Sequence, residues 1–305
     1  MVERSVKRSW LRKSMRSSVM IGAMLIGAAM GHGVASAQAI DAGDYVPAPD
    51  GTQLGLLYLQ YANAKGIYAD GRNVDPDAEL ESAVAIARYV GFTKVGGMTL
   101  DYQVLQPVGY LRGHGSAAAL GETTGFGDTI LVSTLWLHED AESGTYFGVT
   151  PYVFVPTGDY RADRPLNLGE NRWKGSIQAV VSKKVAPKTI LELSGDAMVF
   201  GVNDDLGAAS QRLTQKPMYR VQGFARYLLD DKNELNARLM YVGGGEQRID
   251  GIEQNNPIAT TSILGTWRHT ISPKWQLMTQ LGTDLDVQNG FKEGARVQLR
   301  ILRVF

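Results

Sequence analysis

Three of the four histidines (His32 falls in the amino-terminal signal-like segment), one crowded run of carboxylates and one glycine-rich stretch are the places where this sequence could do chemistry. His114, His138 and His269 lie far apart and no cysteine occurs, so the closely spaced ligands that hold zinc are missing. Asp70, Asn73, Asp75, Asp77 and Glu79 gather oxygen ligands but lack the spacing and central glycine of a calcium loop, and they read as a solvated outer loop. The stretch Gly121-Glu122-Thr123-Thr124-Gly125-Phe126-Gly127 has no following Lys-Ser/Thr and no helix to cradle a phosphate; it reads as a loop entering a strand. His114 has Ser116 two residues on, yet an activated serine needs a base in hydrogen-bond reach and a third group to orient that base. No catalytic residue, metal or cofactor is therefore expected.

The ends of the chain say where such residues would work. Arg4, Lys7, Arg8, Arg12, Lys13 and Arg16 precede the apolar run Val19 to Met30, and Ala35-Ser36-Ala37 supplies small residues for cleavage. This pattern predicts a secretory signal over 1–37, with the mature chain starting at Gln38. Removing six basic residues and Glu3 leaves 25 basic against 30 acidic residues, a formal net charge of −5, which gives nucleic-acid binding no electrostatic support. At the other end, Val297, Leu299, Ile301 and Phe305 alternate with Gln298, Arg300 and Leu302. A closed barrel must end on such a strand, because its last strand pairs with its first. A final aromatic also suits delivery to the machinery that assembles bacterial outer-membrane proteins.

The elements that must position the polar residues are strands. Alternation places about twelve of them, at 52–61, 80–91, 96–105, 127–138, 145–155, 172–183, 189–200, 217–229, 234–245, 258–270, 274–287 and 294–305, each near the roughly 9–11 residues that cross a bilayer at a tilt. Connections alternate in length. Long stretches at 62–79, 106–126, 156–171, 201–216 and 246–257 interleave with short turns, the asymmetry of an up-and-down barrel with its long loops outside. Trp136, Tyr146, Tyr227, Trp267 and Trp275 are expected near the periplasmic strand ends, and Tyr61 and Trp173 near the outer ends. The fold class is all-β, a transmembrane antiparallel barrel occupying 38–305 and bathed in outer-membrane lipid.

Alternation then selects the inner wall. Its polar candidates are Glu192, Asp196, Arg220, Gln222, Arg226, Asn236, Arg238, Gln280, Asp284, Gln298 and Arg300. Acids on one strand could pair with Arg220 and Arg226 on the next, as filling for the barrel or as a selectivity device. In 145–155, placing Phe147, Val149, Val153 and Val155 against lipid turns Tyr152 and Phe154 inward, a candidate apolar contact for a ligand.

Several short stretches share one order. Gly125-Phe126-Gly127-Asp128 leads into a strand, Pro156-Thr157-Gly158-Asp159-Tyr160 closes a later one, and Leu168-Gly169 followed by Asn171-Arg172-Trp173 opens the next. This arrangement resembles the meta-pathway phenol-degradation family of outer-membrane channels. The resemblance implies a monomeric twelve-stranded barrel and passive uptake of small hydrophobic or aromatic compounds. Gly125, Gly127, Asp128, Pro156, Gly158 and Asp159 match the pattern, with the expected task of shaping strand–loop junctions. A narrow hydrophilic pore stays open as the alternative, as does, more remotely, a lipase or structural barrel.

Overall fold

In a computed structural model describing residues 40–305, the chain winds into one closed antiparallel barrel. The expected signal segment 1–37 lies outside the described residues. The barrel strands are β1 (Gln53–Ala69), β2 (Arg72–Val95) and β3 (Met98–His114); β4, in three collinear pieces (Glu122–Phe126, Thr129–Val132 and Leu135–Asp140); β5 (Thr145–Val155), β6 (Lys174–Ala186), β7 (Thr189–Phe200), β8 (Met218–Leu228), β9 (Asn233–Gly244), β10 (Ile258–Ser272), β11 (Trp275–Val287) and β12 (Gly290–Val304). Each pairs with the next, and β12 pairs back onto β1 from Leu54↔Val304 to Tyr68↔Gly290, so every barrel strand has a neighbour on both sides. Closure is what lets backbone polar groups cross hydrocarbon without unsatisfied edges.

Faces follow the pleat. Leu57, Leu59, Ile177, Leu193, Val221, Leu239, Leu281 and Val297 are exposed, as apolar residues must be where lipid is the solvent. At the closing seam the Phe305 ring lies against Gly55, where a Cβ would come within 3.1 Å of it. Arg303 shares the outer face, and its guanidinium sits 5.4 Å from the Trp275 ring centroid and 4.9 Å from that of Phe305. The aromatic girdle gives this charge a cation–π partner at the periplasmic rim.

Three sequence-based expectations need correction. First, 62–79 and 106–126 are not simply loops. β1, β2 and β3 run far past the bilayer, β2 for 24 residues, and turn tightly at Asp70-Gly71, while 106–126 holds the end of β3, a 3-10 turn (Gly115–Leu120) and the start of β4. Above the membrane both faces of a strand can be polar, so the alternation that marks a strand disappears. The Lys65–Glu79 ion pair (2.8 Å) joins β1 to β2 across this extension. Second, 201–216 and 246–257 pair with each other in a small four-stranded sheet outside the barrel. Third, Trp136 and Tyr146 do not join a girdle. Trp136 is only 1% exposed and lies inside against Phe92, and Tyr146 packs against the same inner cluster.

The reason for the third lies in β4. Pro107 on β3 and Pro151 on β5 cannot donate to the ladder, so β4 breaks opposite both, at Gly127-Asp128 and at Ser133-Thr134. Gly127 N–H and Ser133 N–H instead donate to the two proline carbonyls (3.0 and 3.3 Å). Across the first break the register with β3 shifts by one residue, so that Ile130, Val132, Thr134 and Trp136 all face inward beyond it; the register with β5 is unchanged across the second break and shifts only after Trp136.

Candidate functional site

The inside of the barrel is divided. On β1 to β5 the inward residues are mostly apolar: Leu56, Ile86, Leu105, Ile130, Val132 and Phe154 are all buried in one cluster. From β6 to β12 they are mostly polar. Glu192, Asp196, Arg220, Gln222, Arg226, Asn236, Arg238, Gln280, Gln298 and Arg300 are buried there, and Asp284 is partly buried near the outer end of β11, accepting from Glu293 N–H (2.8 Å). Tyr152 and Phe154 point inward at the border between the halves. Tyr152 donates to Gln178 Oε1 (3.0 Å), and Lys174 Nζ stands 4.7 Å over the Phe154 ring.

Charges on the polar half pair across neighbouring strands. Arg220 Nε meets Asp196 at 2.8 Å. Arg226 forks onto both oxygens of Glu234 (2.9 and 2.8 Å) and reaches Glu192 Oε1 (2.8 Å), while Arg268 closes on Glu234 from β10. Planar guanidinium matches carboxylate geometry two bonds at a time, which holds these charges far from water.

Alternation gave no hint of what fills the space between the halves. Residues 40–45, ahead of β1, enter the lumen from the periplasmic end. Asp41 accepts from Gln280 Nε2 (2.9 Å) and Arg300 Nη1 (2.9 Å), and Asp44 accepts from Arg88 Nη1 (3.0 Å). Gly43 N–H donates to Glu192 Oε2 (3.1 Å); the residue has φ +87° and is wedged so closely against Arg226 and Arg268 that a Cβ would strike both. Tyr45 bonds Thr150 and Gln178, and Trp136 Nε1–H donates to its carbonyl (3.0 Å). The segment therefore reads both walls, its acids on the basic groups and its ring among Trp136 and Val180. A sequence signal for it existed: Asp41-Ala42-Gly43-Asp44-Tyr45 is too short to fold alone, yet mixes two acids, a glycine and an aromatic.

The outer mouth is built by the motif residues. Asp128, in the first break of β4, accepts from Gly158 N–H (3.1 Å) and Glu170 N–H (3.2 Å). Asp159 accepts from Phe126 N–H (2.7 Å) and lies where a Cβ on Gly125 would be, and Gly158 packs on Gly169 so tightly that a side chain would strike backbone. Gly127 holds the break itself, and Pro156 ends β5. Together they tie loop 156–173 down over the barrel, above an apolar cluster that includes Ile67, Leu80, Leu111, Leu120, Leu166 and Phe291.

Glu170 anchors that loop, bonded to Lys174 Nζ (2.6 Å) and to Arg172 Nε and Nη2 (3.0 and 2.6 Å). Burial pushes its carboxyl up, but Lys174 and Arg172 together outweigh burial and hold it at about 2. A carboxylate depressed below its ordinary value of about 4.3 stabilises the fold fully above that pH and loses the contribution as pH falls through its folded value. Pepsin cleavage within 156–173 is accordingly expected to accelerate between about pH 4 and about pH 2, and Glu170→Gln to flatten that change. Equal acceleration in the variant would show that other groups release the loop.

The lipase constellation does not assemble. Ser116 Oγ donates to Asp75 Oδ2 (2.7 Å), whereas His114 Nε2 lies 3.0 Å from Glu81 Oε2. Among the described residues no group of His, Cys, Asp and Glu is placed to hold a metal.

A family model described as "Putative MetA-pathway of phenol degradation" matches residues 62–301. The chain belongs to this family. This barrel is similar to the solved COG4313 outer membrane channel from Pseudomonas putida F1, at 39% identity and a TM-score of 0.85 over 88% of this chain and 100% of that one. The β-domain of the Bordetella autotransporter BrkA (8% identity, TM-score 0.53, 84% of this chain and 100% of that one) shares the barrel fold alone. So does the transport unit of Escherichia coli AIDA-I (8% identity, TM-score 0.52, 92% of this chain and 98% of that one). No functionally curated protein matches the chain. The strand pattern, closure and family place this barrel in the bacterial outer membrane.

Proposed function

We propose that this phenol-degradation-family barrel is a passive, non-enzymatic channel, a monomer that admits small hydrophobic solutes, aromatic compounds among them. The observation that carries the reading is the division of the lumen, in which an apolar strip on β1 to β5 runs beneath the apolar cluster at the outer mouth. Hydrophobic solutes are resisted by the polysaccharide outer leaflet and gain from burying area on such a strip, at roughly 25 cal/mol per Å². The similar P. putida structure is that of an outer membrane channel, which agrees with this reading. The carboxy-terminal strand is the proposed address for the outer-membrane assembly machinery.

A strain lacking the gene, supplied with a panel of dilute aromatics, is expected to take up the most hydrophobic ones several-fold more slowly than its parent, with polar sugars unaffected. Equal uptake across the panel would sink the proposal. The charged half of the wall favours a second reading, a narrow pore for hydrophilic solutes. That reading requires steady, salt-dependent conductance with residues 40–45 still in place.

A further inference from the structure

Arg238, on β9, carries a buried charge with no counter-charge beside it. It is 6% exposed, and among the described residues it has neither an acid within ion-pair distance nor a hydrogen bond; its Nε is a buried donor without a partner. A buried lysine can shed such a charge by losing its proton, but a guanidinium keeps it. A buried cation left alone is costly, so an interior that holds one supplies it with a partner.

The side chain lines a cavity of about 30 Å³ inside the barrel. The other charged groups of the lining are Arg88, Arg296 and Asp41, and each has its own partner. Arg88 is held by Asp44 (3.0 Å), Arg296 forks onto both oxygens of Glu293 (2.8 and 2.6 Å), and Asp41 is taken by Arg300 (2.9 Å) and Gln280 (2.9 Å). These pairs cancel, and one positive charge remains at the cavity wall, that of Arg238. A neutral donor stands with it. Gln60 Nε2 donates to Gln298 Oε1 (2.6 Å), which occupies the Gln298 carbonyl and leaves its NH2 group to donate into the cavity that both amides line.

Size and charge together select the occupant. A space of this volume takes about one or two water-sized groups, so organic solutes are too large for it. A surplus of one positive charge repels cations and is balanced by a single monovalent anion, with guanidinium and amide N–H groups as its donors. We propose that Arg238 and Gln298 hold one monatomic anion of chloride size inside the barrel, as the counter-charge that the chain itself does not provide. The site is independent of the hydrophobic-solute reading and stands whether or not such solutes cross.

The test uses crystals of the full-length barrel soaked in sodium bromide, with diffraction recorded at the bromine absorption edge. An anomalous peak is expected within hydrogen-bond reach of the Arg238 guanidinium. Density there without anomalous signal would mean water alone, and would overturn the proposal. In solution, chloride is expected to raise the thermal stability of the refolded barrel saturably over gluconate at equal ionic strength, and R238M to weaken that dependence at least about tenfold. R238Q removes the same charge and serves if R238M fails to show a heat-dependent gel shift; the bromide peak in the parent protein decides the matter if neither variant folds. A peak that persists in a folded variant marks an adventitious ion only, and it overturns the proposal, as does an equal chloride effect in parent and variant.

Discussion

Deleting residues 38–48 should raise the single-channel conductance of the barrel in planar bilayers by about an order of magnitude. Twelve strands enclose an interior wider than side chains alone fill in an eight-stranded barrel, and here a peptide occupies it. Asp41, Gly43, Asp44 and Tyr45 bond to β2, β5, β6, β7, β11 and β12, so the segment spans the lumen instead of lying along one wall. Removing it opens a water path lined on one side by the charges of β6 to β12. A finer variant, Asp41→Asn with Asp44→Asn, keeps the peptide but leaves Arg300 and Arg88 without counter-charges. Breaking a buried pair on one side costs about 3–5 kcal/mol, so this variant should flicker between closed and open levels. Conductance unchanged by the deletion would show that the outer loops, not this segment, close the barrel.

The second large effect is on stability. Arg226 is buried between Glu192 and Glu234, and Arg226→Met is expected to cost about 3–5 kcal/mol, because Glu192 then keeps only neutral donors, Ser182 and the Gly43 amide. Glu234 retains Arg268 and contributes less to the loss. The double variant Arg226→Met with Glu192→Gln should recover a large part of it, since burying a neutral pair is far cheaper than burying one lone charge. Urea unfolding of the refolded barrel in lipid vesicles reads both. Costs that simply add in the double variant would mean that these residues do not act as a pair.

Periodicity makes the membrane strands legible and leaves the rest hidden. β5 and β7 fall where alternation puts them, at 145–155 and 189–200, because lipid on one side and a filled lumen on the other enforce a period of two. Where that contrast ends, so does the signal: the outer half of β2 is polar on both faces and reads as loop. Trp136 escapes the pattern because the break at Gly127-Asp128 shifts the faces by one and puts Ile130, Val132, Thr134 and Trp136 inward, and the proline opposite that break, Pro107, lies on β3. Residues 40–45 have no periodicity, and their partners are scattered from Arg88 to Arg300. The motif glycines are visible as spacing, but their task, backbone packing of Gly158 on Gly169, exists only in three dimensions.

The divided lumen has a consequence for how a solute travels. Its two halves, mostly apolar from β1 to β5 and mostly polar from β6 to β12, amount to an oil–water boundary rolled into a tube, with the boundary running along the axis. An amphipathic molecule at such a boundary turns sideways, tail to one wall and head to the other, and keeps that posture as it advances. Rotation is then the degree of freedom lost on entry, and passage becomes a slide along a seam rather than diffusion through a pore.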